Sequence, residues 1–283
     1  REYALDPLVS YELITPSLKY RIEPKRDQLF LIMHLPAFKE TATLDSEVGF
    51  KDSKEIDIVV GKNFLITVRY EEIDAVERFA KKVEVESILD KETPVNSREL
   101  LFFGLFKELS QGLFNQLAYI DGWLKEIEAD MFKGREKEMV SSLSEASRHL
   151  INFKNITMPY LEIVRSLEVS GEEKFGRDFG YFARDLSEEF TKFQSVLAGK
   201  VEMVSELRET NNSMLSTKQN EIMKTLTIMA FVTFPLSLIA SIFGMNTDWL
   251  PIVGLPNDFW IVAGIMGVMM LCFFAFFKYR KWL

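Results

Sequence analysis

The sequence predicts an α+β membrane protein. It combines a small cytosolic α/β domain, a long helical stalk continuous with a first transmembrane helix, and a second transmembrane helix in each subunit. Three observations predict it. Residues 225–247 form 23 consecutive positions without a charge, where a bilayer's hydrocarbon needs roughly 20. A second uncharged run of 19 residues, from Phe259 to Phe277, follows a short loop. Before the first run, from Asp178 to Phe234, proline is absent and glycine occurs only at Gly180 and Gly199, so one helix can pass from polar into apolar surroundings.

Taken in order, residues 1–95 read as an N-terminal cytosolic α/β domain. Arg1 opens a mixed, charged segment without the apolar run of a secretory leader. The missing initiator Met leads us to expect a trimmed piece of a longer chain. LFLIMHLPAF, between Asp27 and Phe38, has the pattern of a buried strand ended by Pro36. Ile56 to Val60 and Phe64 to Tyr70 flank Gly61-Lys62-Asn63 and read as a hairpin. Ile73, Val76, Phe79 and Val83 mark one face of a helix from Ile73 to Val85.

Residues 96–170 read as a cytosolic helical hairpin. Ser97 is placed to cap a helix running to about Phe132. After Lys133-Gly134 a second helix extends to about Glu168, broken or kinked at Pro159. Residues 171–224 read as the stalk. Its apolar positions, Phe179, Phe182, Leu186, Phe190, Phe193, Leu197, Val201, Val204 and Leu207, recur at a mean interval of about 3.5 residues, the period of a bundle seam. A helix unbroken from Asp178 to Phe243 would be about 100 Å long, too long for one compact domain.

Residues 225–247 are then the first membrane helix, 248–258 an external loop, 259–277 the second membrane helix and 278–283 a basic tail. Pro235 inside the first span is tolerable in a membrane where hydroxyls, neighbouring helices or water meet the freed carbonyl. Ser237 and Ser241 lie nearby. From Gly244 to Asp258 there are two aspartates and no Lys or Arg, while Lys218, Lys224 and KYRKWL supply positive charge on the other side. The positive-inside rule puts both termini in the cytoplasm of a multi-pass plasma (inner) membrane protein.

Composition narrows function. A net charge of −8 opposes nucleic acid as a partner and suits attraction of cations. Cys272 is the sole cysteine, and His34 and His149 lack ligand spacing, so a zinc-finger pattern is ruled out. Both histidines read as surface or packing residues. No phosphate-binding glycine loop, nucleophile elbow or metal-hydrolase helix motif is visible, which argues against an enzyme. Two spans do not enclose water, so a pore requires several subunits. Taken alone, a Met, Leu and Phe stripe on a membrane helix faces lipid or packs, Asn246 caps a helix, and Ser237 bonds a carbonyl one turn back.

The segment NEIMKTLTIMA, Pro235 in mid-span, Gly244-Met245-Asn246 at the span's end, the short loop, one further span and the ending KYRKWL together resemble the CorA family of divalent-cation channels, the two-span GMN family. DPLVSYEL, MPYLEIVRSL and YFARDL extend the likeness over nearly the whole chain. The family usually has additional N-terminal sheet residues, so the first domain reads as truncated.

The resemblance implies a homopentamer in a lipid bilayer, with the first span lining the pore. Asn246 would form the external ring, with Gly244 letting the backbone turn and Met245 completing the selectivity motif. Ser237 would form a polar constriction, where the family often has Thr. Phe234, Ala230, Leu226 and Met223 would form an apolar section, with Phe234 standing where many relatives carry Met. Asn220 would sit at the cytosolic mouth. The loop TDWLPIVGLP lacks the family's common Met-Pro-Glu-Leu string but keeps Asp248 beside the ring. Aligned on YFARDL and DPLVSYEL, Asp185 and Glu12 match the acidic pair that holds regulatory Mg²⁺ between subunits, Glu12 replacing the more familiar Asp. The implied function is Mg²⁺ transport with Co²⁺ or Ni²⁺ as further permeants. The alternatives are a proton-coupled zinc (Zn²⁺) transporter of the same superfamily and a non-conducting membrane-anchored scaffold.

Overall fold

The computed structural model describes residues 3, 5–17, 19–25, 28–37, 53–61, 64–89, 98–246, 250–280 and 282. Its elements run α1 (Pro7–Glu12), β1 (Arg21–Lys25), β2 (Gln28–Pro36), β3 (Ser53–Val60), β4 (Leu65–Arg69), α2 (Asp74–Leu89), α3 (Arg98–Phe132), α4 (Glu136–Thr157), α5 (Tyr160–Phe175), α6 (Arg177–Phe243) and α7 (Asp258–Tyr279). The fold is α+β and mostly helical. It divides into two compact units, Arg1–Glu209 and Thr210–Leu283.

In the first unit the four strands form an antiparallel meander in the order β1-β2-β3-β4. Its register sets Phe30 opposite Val59, Ile32 opposite Asp57 and His34 opposite Glu55. Because side chains alternate across a sheet, these six share one face, and Leu29, Leu31 and Met33 with Ile56 and Ile58 share the other. Both sets are buried. Val9 of α1 closes over Phe30, Ile32 and Val59, with Leu5, Leu13 and Ile66 around them. α1 begins where Asp6 accepts a hydrogen bond from the Leu8 amide at 2.9 Å and Pro7 occupies the first turn. α4 lies against β2 and α5 against β1. The hairpin β3–β4 closes through the Gly61 amide donating to the Phe64 carbonyl at 3.0 Å.

Helices α3 to α6 bury a run of aromatic rings. Phe102 stacks on Phe179, Phe114 and Phe153 meet Phe193 edge-on, and Tyr160 meets Phe190 edge-on. Gly171 on α5 is required by this closeness: a Cβ there would stand 2.2 Å from the Phe179 ring. The expected break falls at Pro159, which separates α4 from α5 and caps the latter. Of the seam positions, Phe179, Leu186, Phe190, Phe193, Leu197, Val204 and Leu207 are buried. Phe182 departs from the expected pattern at 39% exposed, because it lies flat on Phe103, 4.7 Å between centroids, at the margin of the cluster. The expected cap Ser97 lies outside the described residues, as does Asp248.

The second unit holds the C-terminal part of α6 and all of α7. Both helices are long and apolar enough to cross a membrane, and in both the most apolar stretch is wholly unburied.

Candidate functional site

α6 continues without interruption through Pro235 to Phe243. Asn220, Met223, Leu226, Ala230, Phe234 and Ser237 therefore stay in helical register, and at 100° per residue they fall within about a third of the helix circumference. All six lie outside the buried core. Met223, Leu226 and Phe234 are the large ones, with Phe234 74% exposed. Hydroxyls satisfy themselves within the helix: Thr225, Thr227 and Thr233 each donate to the carbonyl four residues earlier, at 2.7–3.0 Å.

The helix ends at the expected motif. The Gly244 amide donates to the Ala240 carbonyl at 2.9 Å and the Met245 amide to Ile242 at 3.3 Å, leaving Met245 and Asn246 exposed beyond the last turn. Gly244 lies in the turn that follows α6, with its φ outside the left-handed region that glycines 134, 176 and 254 occupy. A Cβ there would stand 3.1 Å from the Ala240 carbonyl oxygen, a tight contact.

The second aspartate of the loop has a structural part that its charge alone did not suggest. Asp258 accepts from the Gly254 amide at 3.2 Å and the Phe259 amide at 2.6 Å, tying the turn to the start of α7. Ile252 and Asn257 both have positive φ, 79° and 76°. For a β-branched residue such as Ile252 this is a strained conformation.

In the first unit the expected regulatory pair is found in two different settings. Glu12 ends α1 and is ion-paired with Arg21 on β1 at 2.7 Å, and Arg21 also contacts Glu23 at 2.8 Å. Asp185 lies exposed on α6. Among the described residues no group of three or more His, Cys, Asp or Glu side chains is arranged to hold a metal.

A second acidic group was not foreseen. On the α1-covered face, Glu55 accepts from the Ser17 amide at 2.7 and 2.8 Å, and His34 Nε2 lies 2.7 Å from the Ser17 carbonyl and 3.4 Å from Glu55. Asp57, 1% exposed, accepts from the Tyr70 hydroxyl at 3.2 Å through Oδ2, while Oδ1 has no donor among the described residues. Burial first, then the charge of Glu55, pushes the Asp57 carboxyl up to about 7. Burial likewise pushes the Tyr70 hydroxyl up to about 12. The alternation of β3 is visible in sequence, but the pairing that brings His34 beside Glu55 is not.

With this geometry in place, the family model described as CorA-like Mg²⁺ transporter protein matches residues 1–280. The chain belongs to the CorA-like Mg²⁺ transporter family. The cobalt/magnesium transport protein CorA of Thermotoga maritima is 23% identical over 282 residues, covering 99% of this chain and 78% of that protein. The complete structure of the CorA magnesium transporter from Methanocaldococcus jannaschii superposes with a TM-score of 0.77 at 20% identity, covering 93% of this chain and 80% of that one. The ZntB cytoplasmic domain from Vibrio parahaemolyticus shares the fold at a TM-score of 0.60 and 16% identity, over 76% and 81% of the two chains. The CorA-like fold and the two apolar helices make this a multi-pass membrane protein of a transporter family.

Proposed function

We propose that the chain is one subunit of a homopentameric Mg²⁺ channel, passing hydrated divalent cations, Co²⁺ and Ni²⁺ included, across the plasma (inner) membrane. One observation carries the reading. Within this family match, the uninterrupted α6 holds six candidate pore residues on one face and delivers that face to Gly244-Met245-Asn246. In this reading residues 225–247 and 259–277 cross the membrane, 248–258 lie outside and 278–283 form a cytosolic tail. Positive charge at Lys218, Lys224 and the tail keeps both termini inside.

Mg²⁺ sheds its waters reluctantly, so a ring of neutral Asn246 amides accepting hydrogen bonds from those waters selects the hydrated ion. Five carboxylates there would hold the ion too tightly to release it. Ser237 repeats the polar contact deeper in. Phe234, Ala230, Leu226 and Met223 line a section that closes by dewetting. Cytosolic Mg²⁺ bound between Glu12 of one subunit and Asp185 of the next favours the closed symmetric state, and its loss shifts the population toward conduction. Because Glu12 is engaged by Arg21, the ion competes with a guanidinium for that carboxylate.

The test is Mg²⁺ flux into liposomes by the purified oligomer, with subunit number measured by native mass spectrometry. Five subunits and Mg²⁺ flux reduced about tenfold or more by Asn246→Ala, which corresponds to the net loss of at least one hydrogen bond of ~1.4 kcal/mol from the whole ring, are expected. Flux unchanged by Asn246→Ala would revive the scaffold alternative. Zn²⁺ uptake that follows a proton gradient, without Mg²⁺ flux, would assign the zinc transporter.

A further inference from the structure

The C-terminal end of α7 carries a groove that the transport reading does not use. Its cavity of about 720 Å³ is lined by Phe231 of α6 and by Cys272, Phe276, Phe277, Arg280 and Trp282, a volume within the range of ligand clefts. Its walls are apolar and its one charge is Arg280.

The rim is built into the helix end. The Arg280 amide donates to the Phe276 carbonyl at 3.0 Å and the Trp282 amide to Phe277 at 2.9 Å. The indole stacks on the Phe277 ring at 5.9 Å and 24°, leaving Phe277 only 4% exposed. The Arg280 guanidinium lies 5.9 Å above the Phe276 ring.

Two measures of depth agree. From Arg280 to Cys272 is about 12 Å along α7, and from Lys224 to Phe231 is about 10 Å along α6. One leaflet's hydrocarbon is about 15 Å deep. The groove thus starts at the headgroup level and ends inside one leaflet.

Charge says which lipid suits it. From Phe259 onward the sequence has no Asp or Glu, and it gathers Lys278, Arg280 and Lys281 at this end. A helix C-terminus carries only about half a negative charge, which Lys278 alone offsets. Trp at a membrane boundary sits among headgroups and glycerol.

We propose that this groove holds an acyl chain of an anionic phospholipid of the cytoplasmic leaflet, with the phosphate drawn to Arg280 and the glycerol region against Trp282. The inference rests on α6 and α7 crossing a bilayer and not on ion conduction.

The experiment uses the full chain, delipidated in mild detergent, with retention of added phosphatidylglycerol and phosphatidylcholine read by native mass spectrometry. Phosphatidylglycerol should be retained about fivefold better, the attraction expected of one basic residue near an anionic surface. Arg280→Gln should bring that ratio to about one, and Arg280→Lys should keep most of it. Cys272→Trp, which fills the groove, should lower retention of both lipids, and inorganic phosphate should not displace phosphatidylglycerol. Because Cys272 is the chain's only cysteine, a lipid-soluble maleimide reports occupancy directly, and phosphatidylglycerol should slow its labelling. Equal retention of the two lipids, or a preference that survives Arg280→Gln, would overturn the proposal. So would labelling of Cys272 only after the subunits dissociate, which would give the groove to a second copy.

Discussion

Replacing Asp57 with Asn removes a titration that the buried sheet face otherwise undergoes. The native carboxyl is pushed up to about 7 from an ordinary 3.8, so the folded chain keeps a proton that the unfolded chain releases in that interval. A raised acid pKa contributes stability that is complete below about 3.8 and lost as pH rises through about 7. Between pH 5 and 8 linkage gives close to two units, at ~1.4 kcal/mol each. Solvent entry and movement of Tyr70 reduce this to about 1–2 kcal/mol. The Asn amide keeps the size of the neutral acid, accepts from Tyr70, and places an NH₂ toward Glu55. Amide hydrogen exchange of β3 and of Ser17 in the full chain, corrected for intrinsic rate, is the assay. Wild-type protection should fall about tenfold or more from pH 5 to 8, while Asp57→Asn should remain nearly flat and be the more protected form at pH 8. A variant less protected than wild type at pH 8, or one with the same slope, would refute the reasoning.

Gly171→Ala should destabilise the helical part of the first unit by about 1–3 kcal/mol, as overpacking does, since the new Cβ overlaps the Phe179 ring; protection of α5 against hydrogen exchange measures it. Tyr160→Phe removes the buried hydroxyl that donates to the His34 carbonyl and should cost about 1 kcal/mol, the net worth of one hydrogen bond, read by the same exchange. Arg21→Gln frees Glu12 from its ion pair, and under the regulatory reading it should tighten Mg²⁺ inhibition of flux several-fold, measured as the internal Mg²⁺ that halves transport. Asp121 is held below the usual carboxylate range by the hydrogen bonds of Lys125 and then Lys200. Lys200→Met should therefore raise its pKa toward the usual carboxylate range, as followed by carboxylate NMR shift against pH.

Long-period features were legible in the sequence because one helix face or one uncharged run is decided locally. The seam from Phe179 to Leu207, the break at Pro159 and the two apolar helices are of this kind. β1 and α1 were not read. RIEPK mixes charges with a proline and makes sense only as an edge strand beside β2, and α1 is a single capped turn and a half over the sheet. The partner of Glu12 was hidden for the same reason, since Arg21 reaches it only once β1 is in place. Phe182 carries the seam's spacing but not its burial, because Phe103 offers it a flat surface instead of a pocket. The nearness of the Ala240 carbonyl to Gly244 is likewise invisible in the sequence.

Pro235 has no amide hydrogen, so the carbonyl of Phe231, four residues back, loses the donor an ordinary helix would give it. That makes one point along α6 where flexing breaks no bond. The helix nonetheless runs on unbroken through this point to Phe243. Phe231 also contributes a wall of the groove at the end of α7, so a molecule lodged against its ring would rest on the residue whose carbonyl lacks that donor.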